Sequence, residues 1–525
     1  MPARYPRSSG ASLHSMQTIG NQIGYKVRNI AHYGQPDIDI SLEGEHGTHG
    51  TYVTSFSTMD TIRGTVTITA KHDTRFEDID ISFIGTAHTF VDRLTTTPSS
   101  CSRSEASHRF LTLKQPIPDS DFPAPRVLAA GTPCTFSFLF AIPEHLLPRA
   151  CLHKVNSDHV RNMHLMLPPS LGDPSLAGFG STLLDDLAPE MSKIIYGIKV
   201  RIMSIRETDG SVSLVADKLR KVRVKPAFEE QPPLNVDPSD PEYRMRQEKV
   251  IRKGLFKGKL GTLTAQGQQS KPLVIPGART VGTPTITTMA KLVLRFDPAD
   301  ADATPPKLTS LATKIRVSTY YASAPRHSFP VRSTLGYDLT QGVYTENINL
   351  STMCVASAPW IKHAASDNPP TDSPLRRDSG ISDCSTLGPD EAFSSGVLQP
   401  SKSYKPGSSF YTTEVVVPVA LPLNKNFLPT FHSCLVSRVY ALILHLGVAG
   451  PGVGEPSLHL KVPMQIAAEG SVDGIENARA RSVEMSVARE ADSMFVPRSV
   501  VPPGAEDLPP QYVDFVSGRG VEVVG

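Results

Sequence analysis

Along much of the chain, large apolar side chains fall at every second position. Asp37-Ile38-Asp39-Ile40-Ser41-Leu42 alternates polar with apolar, Ile62-Arg63-Gly64-Thr65-Val66-Thr67-Ile68 keeps the same period, and Ile79, Ile81 and Phe83 are separated by Asp80 and Ser82. The cleanest run is Cys134, Phe136, Phe138, Phe140 and Ile142, with Thr135 and Ser137 between them. Successive side chains of a strand point to opposite faces, so only extended backbone gathers these five on one side. Residues 196–202 and 222–224 read the same way. Barely any helical period interrupts the series, which predicts a β-sandwich of about seven to nine strands over residues 36–225.

Residues 226–247 form a connector, punctuated by Pro226, Pro232, Pro233 and Pro238. A second β-rich region spans 248–468, with strands expected over 291–296, 314–321, 410–421, 439–448 and 458–466. In the last of these, Leu458, Leu460, Val462, Met464 and Ile466 make another every-second-residue stripe. Residues 364–403 are rich in Ser, Pro and Asp, and are expected to be a disordered insertion between two strands. Residues 1–35, rich in Ser, Gly and Arg, read as a mobile arm. The tail, 469–525, is expected to be mostly disordered, although Val483, Val487, Ala491 and Met494 have helical spacing with nothing evident to cap a helix. The expectation is therefore an all-β chain with two sandwich domains in series.

Composition adds limits. Lys+Arg 53 against Asp+Glu 51 leaves a net charge of +2, so no global field draws the chain to nucleic acid or to a membrane. The six cysteines, Cys101, Cys134, Cys151, Cys354, Cys384 and Cys434, contain no C-x-x-C pair and no spacing that suggests a disulfide framework or a zinc site, which fits a reducing compartment. No secretory leader is visible at the N-terminus, and the longest apolar runs reach about half of the ~20 residues of a membrane helix. A cytoplasmic protein is expected.

The most informative short motif is Leu508-Pro509-Pro510-Gln511-Tyr512. Adjacent prolines fix φ near −65° and carry no amide hydrogen, so the step is set in the polyproline conformation before a partner arrives. With Tyr512 two positions on, this is the PPxY pattern that fits the aromatic groove of WW domains. Among six Pro-Pro steps and Tyr 14 in 525 residues, roughly 0.16 would be followed by x-Tyr by accident.

Other candidates are weaker. Arg244, Arg246, Lys249, Arg252, Lys253, Lys257 and Lys259 lie close together with a single acid, Glu248, and are a candidate contact for anionic lipid headgroups, against the plainer reading of a solvated linker. Arg376-Arg377-Asp378-Ser379 matches a basophilic kinase site, making Ser379 a candidate phosphorylation site. Glu45, His46 and His49 share a Gly-rich loop, but no further ligand is spaced to complete a shell, so no metal and no cofactor is expected. Gly254 to Lys259 is one residue short of a phosphate loop and lacks the Ser/Thr that follows one. No G-x-S-x-G or H-E-x-x-H occurs and no Cys/His pairing stands out, so an enzyme is not expected.

Beyond these patterns, several stretches resemble the arrestin superfamily, in particular its fungal trafficking-adaptor branch. They are Gly64-Thr65-Val66-Thr67-Ile68, Leu167-Pro168-Pro169-Ser170-Leu171-Gly172-Asp173, Leu294-Arg295-Phe296-Asp297-Pro298, and the run from Pro429 through His432-Ser433-Cys434 to Tyr440. The resemblance covers roughly residues 36–468. It implies two tandem arrestin-like β-sandwich domains and an adaptor that joins a HECT-type WW-domain ubiquitin ligase to plasma-membrane cargo such as transporters, promoting ubiquitination and endocytosis. It also implies recruitment from the cytoplasm to plasma membrane and endosomes. Ligase contact is assigned to Pro509, Pro510 and Tyr512, and no cargo-contacting residue is transferred. The alternative is a cargo-sorting scaffold of the same fold that acts in endosomal or coat complexes without a ligase.

Overall fold

The computed structural model describes residues 35–44, 55–93, 102–176, 178–179, 182–206, 209–234, 236, 240, 242–254, 258–277, 285–364, 366, 398–449 and 456–494. It is an all-β structure, as the alternation predicts. The chain divides into two compact units after Ile475, and every described strand belongs to the first.

Two sheets enclose the first apolar core. One has Thr61–Thr69 between Asp37–Leu42 and Pro133–Ala141; the other runs Ser55–Phe56, Val212–Val224, Ser192–Ile205, Asp78–Arg93, Ser102–Lys114. Register explains the spacing of the phenylalanines. Ile62, Gly64, Val66 and Ile68 lie opposite Phe140, Phe138, Phe136 and Cys134, so one inward face carries the large rings. Gly64 is required there, because a Cβ would stand 2.6 Å from the Phe138 ring and 2.1 Å from the Ser41 carbonyl. Phe83, Tyr196, Ile198 and Val200 meet this face from the opposing sheet.

A second core lies between two further sheets. The first runs Arg246–Arg252, Lys259–Gly267, Thr287–Pro298, Phe410–Ala420, Ile361–His363, and the other is built on Leu308–Ala322 and Val436–Val448, flanked by Gln341–Cys354, Phe431–His432 and Ser457–Met464. Leu292, Leu294, Phe296, Val415, Val417, Leu442, Leu444, Leu458 and Leu460 fill it. The cores exchange residues: Leu428, Phe431, Leu435 and Val436 belong to the first core, and Leu187 belongs to the second.

Two expectations change. The stretch expected to be a disordered insertion as far as residue 403 is built into the fold from Leu398. Leu398 is buried and its carbonyl accepts from Arg295 Nη1 at 2.7 Å, while the Ser401 amide donates to Asp297 Oδ2 at 2.8 Å. The Arg295–Asp297 pair is itself buried, at 2.8 Å, with the guanidinium 3.9 Å from the centroid of the Phe410 ring. Polar composition hid this segment because its partners are backbone and charge. The tail helix spans Val472–Met494, and it does have a cap: Ser471 Oγ accepts from the Gly474 amide at 2.9 Å while its hydroxyl meets the Asp60 carboxylate. Burial raises the Asp60 carboxyl, with the Ser471 hydroxyl opposing it. In the second unit, the helix side chains from Glu476 to Ala491 are exposed.

No described helix is long and apolar enough to cross a membrane.

Candidate functional site

Where the two core regions meet, short polar segments converge on a group of cysteines and histidines. A 3-10 turn, Pro148–Ala150, opens on Pro148, whose fixed φ suits the first helical position, and delivers Cys151 with its amide bonded to the Pro148 carbonyl at 3.0 Å. The helix Asp158–Leu165 follows. Ser157 caps it by accepting from the Val160 amide at 3.3 Å, and Val160, Met163 and His164 form its buried face at helical spacing. Cys434 arrives from the far part of the chain, in the tight turn between Phe431–His432 and Val436–Val448. Ser433 holds that turn: its amide and hydroxyl both donate to the Val436 carbonyl at 2.8 Å.

Four side chains come together here. The ligand atoms of Cys151, His153, His164 and Cys434 all lie within 4.8 Å of one another. Cys151 Sγ is 3.7 Å from His164 Nδ1 and 3.8 Å from His153 Nδ1, and Cys434 Sγ approaches the Ala150 carbonyl at 3.8 Å. Three of the four residues are buried and His153 is partly so. The neighbours orient them. His153 Nε2 sits 2.9 Å from the Arg326 carbonyl, which assigns the ring proton to Nε2 and leaves Nδ1 as an acceptor. Arg161 Nη1 donates to the Cys151 carbonyl at 2.8 Å, and the Arg326 amide to the Cys434 carbonyl at 3.0 Å.

Electrostatics keeps the rings neutral. Burial, then the charges of His153, Arg326 and Arg161, push His164 down to about 4. Burial also lowers His153, although its bond to the Arg326 carbonyl works the other way. The Cys434 thiol is pushed far up, first by burial and then by Cys151 beside it. Burial brings the Arg326 guanidinium down to about 9, and its side-chain partners are Gln341 Oε1 and Ser437 Oγ, both at 3.2 Å. Neutral imidazoles and adjacent thiols are donors suited to a soft or borderline metal.

No Cys/His pairing stands out in the sequence, yet the fold gathers this set. Cys151-x-His153 and His164 are near enough in sequence to have been noticed together, but the fourth member is 284 residues from Ala150, whose carbonyl it approaches. Only the fold supplies that neighbour.

The remaining predicted residues are placed differently. Pro509, Pro510, Tyr512, Ser379 and Lys257 lie outside the described residues, as do Glu45, His46 and His49. Of the basic group, Arg246 is on the strand Arg246–Arg252 and donates to Glu248 at 2.8 Å and to the Gln399 and Pro400 carbonyls at 3.1 Å. Lys249 Nζ donates to the Ser457 carbonyl at 3.0 Å, and Lys253 pairs with Asp300 at 2.7 Å. The Arg244 backbone pairs with Lys461, while Arg252 and Lys259 face each other across the strand pair. Several of these charges therefore already have protein partners, and the stretch is a strand edge more than a linker.

Two of the resemblance segments carry hydrogen bonds that tie strands to loops. Pro168 accepts from the buried Tyr196 hydroxyl at 2.5 Å, and Ser170 Oγ accepts from the Val224 amide at 2.9 Å. Arg438, fully buried, donates through Nη1 and Nη2 to the Asp186 and Leu187 carbonyls at 3.1 Å. Comparison of the sequence with protein-family models finds no match, and comparison with curated proteins finds none either.

Proposed function

We propose that this chain is a non-catalytic adaptor: a β-sandwich body that holds membrane cargo and a tail that recruits a WW-domain ubiquitin ligase of the HECT type. The observation that carries the reading is Leu508-Pro509-Pro510-Gln511-Tyr512, which follows the last described strand, Ile466–Ala468, in sequence. The proline pair supplies a conformation that costs little to order, and Tyr512 supplies the ring that a WW groove accepts. One such peptide buries a small interface, so tight engagement needs several WW domains or clustered adaptors.

What supports a holding role for the body is its construction. Residues from each half complete the other's core, and a polar seam ties the loops between them, which suits a rigid platform presenting strand faces and loops to a partner. The resemblance of several segments within residues 36–468 to arrestin-related adaptors supports plasma-membrane transporters as the cargo class.

The experiment is recovery of the full chain on an immobilised tandem WW protein. Tyr512→Ala should abolish recovery, and deletion of residues 505–525 should abolish cargo ubiquitination in cells. Equal recovery of Tyr512→Ala and wild type would overturn the ligase assignment.

A further inference from the structure

We propose that Cys151, His153, His164 and Cys434 bind a structural Zn2+ ion that fastens the Pro148–Leu165 region to the turn carrying Cys434. Three independent observations lead there.

The first is distance. A tetrahedral zinc with bonds of about 2.3 Å to sulfur and about 2.0–2.1 Å to nitrogen sets its ligand atoms about 3.3–3.8 Å apart. The Cys151 sulfur stands at 3.7 Å and 3.8 Å from the two imidazole nitrogens, and the whole set fits within 4.8 Å. Such spacing is long for a hydrogen bond and matches the edge of a coordination tetrahedron.

The second is orientation. Zinc-bound histidines characteristically donate their other ring N–H to a carbonyl or carboxylate. His153 makes that bond to the Arg326 carbonyl at 2.9 Å through Nε2, which leaves Nδ1 to ligate, and the Cys151 sulfur lies 3.8 Å from both ring nitrogens. His164 presents Nδ1 to the same sulfur. The two rings lie 5.5 Å apart between centroids, tilted by 39°, as two ligands of one centre do when neither stacks on the other.

The third is charge. Arg326 is buried beside the cluster, and no ion pair is formed by it among the described residues. A further net charge here would be costly. Zinc binding adds two positive charges and releases two thiol protons, leaving two thiolates, so the net charge of the site does not change. A Cys2His2 donor set is the one that zinc occupies as a closed, four-protein-ligand structural site, and burial of three of the four residues leaves no open position for chemistry.

The test uses the full-length chain purified with zinc present and then exchanged into metal-free buffer. Elemental analysis should find one zinc per chain. Replacement by Co2+ should give the strong ligand-field bands of a tetrahedral site together with a thiolate-to-cobalt charge-transfer band. Cys434→Ser and His164→Gln should lose the metal, whereas Cys134→Ser and Cys354→Ser, whose cysteines lie outside the cluster, should keep it. Should the cluster variants fold poorly, stepwise thiol modification of the wild type serves instead: zinc release should track modification of Cys151 and Cys434 in peptide maps. A wild-type chain without stoichiometric zinc and without the cobalt spectrum would overturn the proposal. So would retention of metal by Cys434→Ser, modification of both thiols without zinc release, or a Cys151–Cys434 disulfide in the purified protein.

Discussion

Phe138 lies in the first core and Arg438 in the seam between the cores; the first is 3% exposed and the second 0%. Water rejects the phenyl ring, and any apolar neighbour of the right shape satisfies it. The guanidinium leaves water with its two terminal nitrogens on the Asp186 and Leu187 carbonyls at 3.1 Å, while Nε is buried without a hydrogen-bond partner. Burial alone therefore says little about what a position requires. The core asks for volume and the seam asks for particular partners, which makes the core tolerant of conservative change and the seam intolerant of it.

The largest effect should come from opening a hole in the core. Phe138→Ala removes a ring packed 5.7 Å from Phe140 and facing Gly64, and should cost about 3–5 kcal/mol in denaturant unfolding. Phe138→Leu should recover most of that loss, because the volume is largely kept. Arg438→Ala comes next, at about 1.5–3 kcal/mol, from two hydrogen bonds to a charged donor. Here the conservative exchange should fail: Arg438→Met fills space but leaves two buried carbonyls without donors, and Arg438→Lys lacks the fork that reaches both. The contrast breaks if Arg438→Met recovers stability as fully as Phe138→Leu does.

The same contrast explains what could be read in advance. The stripes Phe136-Phe138-Phe140 and Leu458-Leu460-Val462-Met464 advertise themselves because a two-residue period has one physical meaning, and the strands Pro133–Ala141 and Ser457–Met464 lie where the stripes predict. Ser102–Lys114 and Gln341–Cys354 went unseen because each ends its sheet with few buried residues, so little apolar alternation is demanded of them. The seam was illegible for another reason. Arg438 with Leu187, Thr89 with the Ala322 carbonyl at 2.6 Å, and Cys434 with His164 are pairings between distant stretches of sequence, and no local pattern announces any of them. Ser471 was a local signal that a cap search could have found, since Gly474 stands at the third helical position after it.

A smaller effect is expected at the solvent edge of the seam, where Lys425 and Asp185 pair at 2.7 Å and Asn426 donates its amide to the Asp185 carbonyl at 2.8 Å. Burial would raise the Asp185 carboxyl, but the Lys425 ammonium and the Leu187 amide outweigh it and hold the group below the usual carboxylate range. Its stabilisation is present above the ordinary carboxylate pKa and fades as pH falls through the depressed one. Because Asp185 is half exposed, Asp185→Asn should cost only about 0.2–1 kcal/mol at neutral pH. The difference from wild type should shrink in acid. A larger loss at neutral pH would mean that the seam depends on charge as much as on buried donors.

The smallest expected effect tests whether an imidazole outside the seam obeys the rule of partners. His445 and His459 face each other across the strand pair Val436–Val448 and Ser457–Met464, with Nδ1 atoms 2.6 Å apart. One ring must donate and the other accept, so a proton on both destroys the bond. His459 is held in place by Ser457 Oγ at 2.9 Å on Nε2 and by its own amide to Gln247, while Lys314 adds positive charge near His445. Burial first, then His459 and Lys314, lower the His445 pKa below its ordinary value. The unfolded ring therefore takes up its proton at a higher pH than the folded ring does. The stabilisation from a neutral His445 is complete above about pH 6.5 and is lost as pH falls below that. Denaturant midpoints between pH 7 and pH 5 should fall less steeply in His445→Gln than in wild type, while the two proteins should differ little at pH 8. Parallel slopes would show that the folded ring protonates as readily as the unfolded one, and that the short contact between the two rings gives way at no cost.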